Sequence, residues 1–110
     1  MLIKIPKLYR PGMSDLALYE ATRAAWRVGP RRDRALFALA VVGGTVLEVF
    51  EVDHWQPAGT DRYRERLLDP GSEGRWEFVG RVAPDVMRNA YRGRSVAHYF
   101  KRGNQNPIIT

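Results

Sequence analysis

The stretch ALFALAVVGGTVLEVFEVD, residues 35–53, decides the architecture of this chain. Its first eight residues are continuously apolar and rich in β formers, the composition of a central strand. Gly43-Gly44 then supplies the consecutive glycines of a two-residue hairpin turn. Residues 45–53 return antiparallel, with Glu48 and Glu51 interrupting the apolar pattern. Two strands joined so tightly must pair antiparallel, which seeds a predominantly antiparallel sheet.

Upstream, Leu2, Ile3 and Ile5 alternate with Lys4 and Lys7, which predicts a first strand ending at Pro11-Gly12. Ser14 is a natural N-cap with Asp15 in the first turn, so residues 15–28 read as a helix. On that helix Leu18, Ala21, Ala25 and Val28 share one face, and Leu16, Tyr19, Arg23 and Trp26 the adjacent one. Gly29-Pro30 stops it and leaves Arg31-Arg32-Asp33-Arg34 as an exposed basic connection.

Downstream, residues 56–74 are polar and broken by glycine and proline, an irregular stretch with one helical turn expected around Tyr63–Leu68. RWEFVGRV (75–82) alternates, with Trp76, Phe78, Gly80 and Val82 opposite Arg75, Glu77 and Arg81. Pro84 and Asp85 open a helix, Ser95 caps a second one over 95–102, and Ile108-Ile109 forms a terminal strand. The expected order is β-α-β-β-loop-β-α-α-β. That makes residues 1–110 a single α+β domain, a small antiparallel sheet or partly open barrel with helices on one side.

With 45% hydrophobic and 27% charged residues the composition is that of an ordinary folded domain. There is no cysteine, and the two histidines, His54 and His98, are far apart in sequence. No zinc-ligand spacing exists, so neither a metal nor another cofactor is expected. No segment reaches the roughly 18 consecutive apolar residues of a membrane span, and the N-terminus lacks a signal-peptide core. A cytoplasmic protein with no membrane partner is expected.

Charge is the clearest functional signal. The net charge is +6, yet residues 86–110 hold Arg88, Arg92, Arg94, Lys101 and Arg102 with no carboxylate. Arginine outnumbers lysine 15 to 3, and its planar fork suits phosphate and base edges. Tyr91, His98, Tyr99 and Phe100 lie among these cations, which points to a nucleic-acid surface with DNA favoured.

In this reading the five cations hold phosphates, with His98 on the same helix face as Lys101 and Arg102. Asn104 and Asn106 are placed to read base edges, as amide side chains do. Tyr19, Arg23, Trp26 and Trp55 are expected to flank an aromatic pocket that stacks a base.

The chain is thus read as a non-catalytic nucleic-acid-binding module. One alternative is a protein-interaction module whose basic surface docks an acidic partner. Another is a small metal-dependent nuclease built on Glu48, Glu51, Asp53, His54 and Glu77. The odd offset of Glu48 and Glu51 puts them on opposite faces of a regular strand, so pairing of strand carboxylates with Arg75 or Arg81 fits better.

The runs LYEATRAAWRVG (18–29), ALFALAVVGGTVLEVFEVDHWQPAG (35–59), RWEFVGRVA (75–83) and RGRSVAHYFKRGNQNPI (92–108) resemble an uncharacterised bacterial domain. That domain follows GIY-YIG-type nuclease modules in some larger proteins and also occurs alone. The resemblance implies a DNA-facing accessory module that works with a nuclease module or subunit, in restriction or other defence against foreign DNA. The strand order and aromatic content also resemble PUA-like folds of the EVE and YTH type, by analogy of fold alone.

Overall fold

Phe37–Val42 (β2) is buried along both faces and forms the centre of a five-stranded sheet. The structure, a computed structural model, describes residues 1–66, 68, 73–100 and 108–109. The strands run in the order β4-β3-β2-β1-β5, where β1 is Leu2–Lys4, β3 Thr45–Pro57, β4 Trp76–Val82 and β5 Ile108–Ile109. The β1–β2 pair is parallel and the others are antiparallel. The parallel pair requires a crossover, and helix α1 (Asp15–Arg23) lies in that connection. A second helix, α2, spans Asp85–Tyr91. The fold is α+β, with an open and mostly antiparallel sheet.

Alternation along β2 divides the interior in two. Ala38 and Ala40 join Ile3, Ile5, Trp26, Phe50, Trp55 and Phe78 in one core, against which Leu18 and Tyr19 of α1 pack. Leu39 and Val41 join Val46, Val49, Ala83 and Val96 in the other, covered by Met87 of α2 and by Phe100. The helices therefore lie on both sides of the sheet rather than on one. An apolar central strand has no polar face to leave in water. In the first core Tyr19, Phe50, Trp55 and Phe78 form a chain of tilted and edge-on rings, with centroids 5.4 to 6.2 Å apart.

The hairpin forms as expected, with Gly43 and Gly44 at φ 59° and 76°. Gly80 has a different reason to be glycine. A Cβ there would overlap the Glu51 carbonyl, where β3 and β4 approach closely beside a register shift between Val52 and His54.

Four local expectations are corrected. Helix α1 stops at Arg23, short of Val28, because Trp26 turns out of the helix to exchange both backbone hydrogen bonds with Trp76, at 3.0 and 2.9 Å. The Arg66 guanidinium closes the shortened helix by donating to the Glu20 and Ala24 carbonyls. The 31–34 connection is part of a 3-10 turn, Pro30–Arg34, whose Arg32 stacks on the Trp76 ring at 3.6 Å.

Strand β3 runs on to Pro57, and the described residues of 63–68 form no helical turn. Among the described residues of the expected 95–102 helix, only Ala97–Tyr99 are helical, as a 3-10 turn, and residues 101–102 lie outside the described residues. Residues 93–96 are already committed to the hairpin, through Gly93 to Val46, Val46 to Arg94 and Val96 to Gly44, at 2.7 to 2.9 Å.

Glu77 departs most from its expected setting. Alternation puts it opposite Phe78, yet both are fully buried. The loop after β3 folds back over the edge strand and surrounds the carboxylate with donors. These are Gln56 Nε2 (2.6 Å), the Gly59 amide (2.8 Å), the Tyr63 hydroxyl (2.9 Å), the Asp61 amide (3.1 Å) and Arg23 Nη2 (3.4 Å). Arg23 also donates to the Phe78 carbonyl at 2.9 Å and to Asp61 at 2.7 Å. Burial pushes the Tyr63 phenol well above its ordinary value, so it stays a neutral donor to Glu77. Glu20, also buried, accepts the Arg64 amide at 2.9 Å and the Glu65 amide, which fixes the far end of the same loop.

Glu77→Ala strands these donors, a buried guanidinium among them. Removing one partner of a buried ion pair costs about 3–5 kcal/mol. Urea unfolding at pH 7 should register that loss, with faster proteolysis of the 58–66 loop. A loss under about 1 kcal/mol would contradict the arrangement.

Candidate nucleic-acid interface

The basic segment leaves β4 through Pro84, forms α2, then lies along the hairpin through residues 93–96. Its arginines are not equivalent. Arg88 grips Glu48 with two nitrogens at 3.0 and 3.1 Å and reaches Asp85 at 3.4 Å. Arg92 donates to the Leu47 carbonyl at 3.3 Å and lies 3.9 Å from Glu48. Arg94 is exposed, and its side chain has no partner among the described residues. His98 and Tyr99 are both exposed, with their rings 4.2 Å apart. Lys101, Arg102, Asn104 and Asn106 lie outside the described residues.

A second basic element meets this one. In the 3-10 turn Pro30–Arg34, three residues per turn align positions i and i+3, so Arg31 and Arg34 share an edge. Neither has an ion pair among the described residues. Both line a cavity of about 560 Å³ whose walls are Leu36 and Phe37 on one side and Met87 and Tyr91 of α2 on the other. Leu36 is 69% exposed and Tyr91 37%, large apolar surface left open at the mouth. A smaller cavity of about 180 Å³ lies on the other side of the turn, lined by Arg32, Asp33, Asp53, His54 and Trp55. Its two carboxylates make it a poor host for phosphate, whereas the larger cavity has none among the described residues of its lining.

The aromatic residues expected to flank a pocket are interior. Trp26 is buried and donates its indole N–H to the Thr22 carbonyl at 2.7 Å. Tyr19 packs on Phe50 and Phe78, and its hydroxyl oxygen accepts the Gly80 amide of β4 at 2.9 Å. Arg23 belongs to the Glu77 network. Trp55 is buried edge-on against Phe78 and contributes to the lining of the smaller cavity.

The strand carboxylates are dispersed. Glu51 pairs with Arg81 at 3.4 Å, as expected, but Glu48 pairs with Arg88 and Glu77 with Arg23. Asp53 lies 3.1 Å from His54, and hydrogen bonds accepted from the ring by the Asp53 carboxylate and the Gln56 side-chain oxygen hold the imidazole pKa above its ordinary value. Among the described residues no group of three His, Asp or Glu side chains could hold a metal ion. Among them, too, no helix is long and apolar enough to cross a membrane.

No protein family, curated protein or solved structure matches the chain. Sequence reasoning singled out the basic segment that includes α2 but did not name Arg31, Arg34, Leu36 and Met87, which line the larger cavity, as candidate site residues. The available signal was a pair of arginines three apart, running directly into an apolar strand.

Burial alone would raise the Glu48 carboxyl, but hydrogen bonds from Arg88 and the Val49 amide, with the charges of Arg88 and Arg92, outweigh it and hold the pKa below its ordinary value. A depressed folded pKa stabilises the fold above the unfolded value, and that contribution is lost as pH falls through the folded one. Glu48→Gln should therefore lower the melting temperature at pH 7, and the gap from the natural protein should close progressively below about pH 4. A gap that persists unchanged at pH 3 would contradict this.

Proposed function

We propose that this protein is a non-catalytic nucleic-acid-binding module with DNA as its favoured ligand. The observation that carries the reading is a cavity whose charged side chains, among the described residues, are Arg31 and Arg34, both cationic and without an ion pair among those residues. Met87 and Tyr91 of α2 line the same cavity, and Arg92 and Arg94 follow α2 along the hairpin. Like charges on one turn with no ion pair among the described residues repel, and a phosphate chain relieves that repulsion by entering. The exposed His98–Tyr99 ring pair adds a stacking surface beside the cations. The resemblance to the region that follows GIY-YIG-type nuclease modules favours DNA and a nuclease partner. Chemistry on the nucleic acid would then belong to that partner.

Fluorescence anisotropy with a labelled single-stranded octamer, repeated from 25 to about 300 mM salt, tests the reading. Four phosphate contacts predict that log K falls against log salt with a slope of about −3. Arg92→Glu with Arg94→Glu should reduce the slope by about 1 to 2 and weaken binding to every sequence alike. Absence of binding to single strands and duplexes at low salt would overturn the proposal.

A further inference from the structure

We infer that the cavity between Arg31, Arg34, Leu36, Phe37, Met87 and Tyr91 receives one unstacked base of a single strand, while the two arginines hold the phosphates beside it. This deepens the nucleic-acid reading and rests on it. A duplex keeps its bases stacked inside and offers phosphates to a surface, so it leaves a recess empty. Only a base out of its stack can enter one.

The recess, about 560 Å³, is within the size range of ligand pockets. Its lining suits the two surfaces of a nucleotide. Phe37 and Tyr91 present aromatic carbon and Leu36 and Met87 apolar carbon and sulfur, all suited to the flat apolar face of a base. Arg31 and Arg34 add the charge that the attached phosphates require, and no carboxylate lies among the described residues of the lining.

Construction of the site explains two otherwise costly features. Leu36 is an apolar side chain left 69% exposed immediately before the central strand, and Tyr91 remains open at the end of α2. Exposed apolar groups converging on a recess mark a binding surface. The 3-10 turn, in turn, keeps two like charges aligned and without ion pairs among the described residues. An acidic peptide could satisfy the charges but would not require the aromatic and apolar lining of the recess.

Two octamers separate base from phosphate: oligothymidylate, and a fully abasic deoxyribose-phosphate strand of equal charge. The natural protein should bind the thymidylate about tenfold tighter than the abasic strand, as one stacked base implies. Leu36→Ala with Tyr91→Ala should bring the thymidylate to the abasic level and leave abasic binding unchanged. Both side chains are exposed, and circular dichroism would verify that the variant stays folded.

Equal affinity for the two octamers in the natural protein would overturn the pocket and leave the phosphate-binding surface standing. So would a preference that survives the double variant. Octaglutamate binding as tightly as thymidylate would also overturn it, because charge alone would then suffice. No binding of either octamer at low salt would overturn the nucleic-acid reading itself, and the pocket with it.

Discussion

A carboxylate with no exposed surface, Glu77, is the constraint on which much of the rest depends. An ion in that position is stable only when its lone pairs are occupied, and five donors from α1, β3 and the following loop converge on it. Satisfying it fixes the loop over the edge strand and sets Arg23 at the end of α1. It also brings Trp26 to a place where its backbone pairs with Trp76. The exposed rim of a sheet is a hazard for uncontrolled pairing, and here the β4 rim is covered by Trp26 and the loop.

The arginines divide accordingly. Arg23, Arg32, Arg66 and Arg88 serve the fold through a carboxylate, a tryptophan face, a helix end and a second carboxylate. Arg31, Arg34 and Arg94 have no ion pair among the described residues. A net charge of +6 does not distinguish these groups. What distinguishes them is the partner each meets: Arg23, Arg32, Arg66 and Arg88 meet a carboxylate, a ring or a helix end, whereas Arg31 and Arg34 are left beside the apolar side chains of one recess.

Much of this fold is legible in local pattern. The apolar run into Gly43-Gly44 defines the central hairpin, and the Pro84-Asp85 start of α2 follows from capping chemistry. The parts that depend on distant partners are not legible. Nothing in DLALYEATRAAWRV predicts an end at Arg23, since the competing interaction comes from Trp76, fifty residues on in sequence by position number. The aromatic pocket expectation assumed that Trp26 stays helical beside Arg23, and it ended in the core once the helix did not continue. Glu77 looks like a solvent-facing strand residue because its donors lie in a loop without regular structure. The basic C-terminal segment is visible as charge, but its split into paired Arg88 and open Arg94 depends on Glu48 across the sheet.

The division of labour between the two groups of arginines can be read residue by residue. Amide chemical shifts of the labelled protein, followed during titration with oligothymidylate, test it most directly. The account predicts shifts concentrated at residues 31–36, 87–94 and 98–99, with the amides of Gly59 and Asp61 around Glu77 unmoved. Shifts concentrated on α1 and the 58–66 loop, with the 3-10 turn and α2 silent, would contradict it.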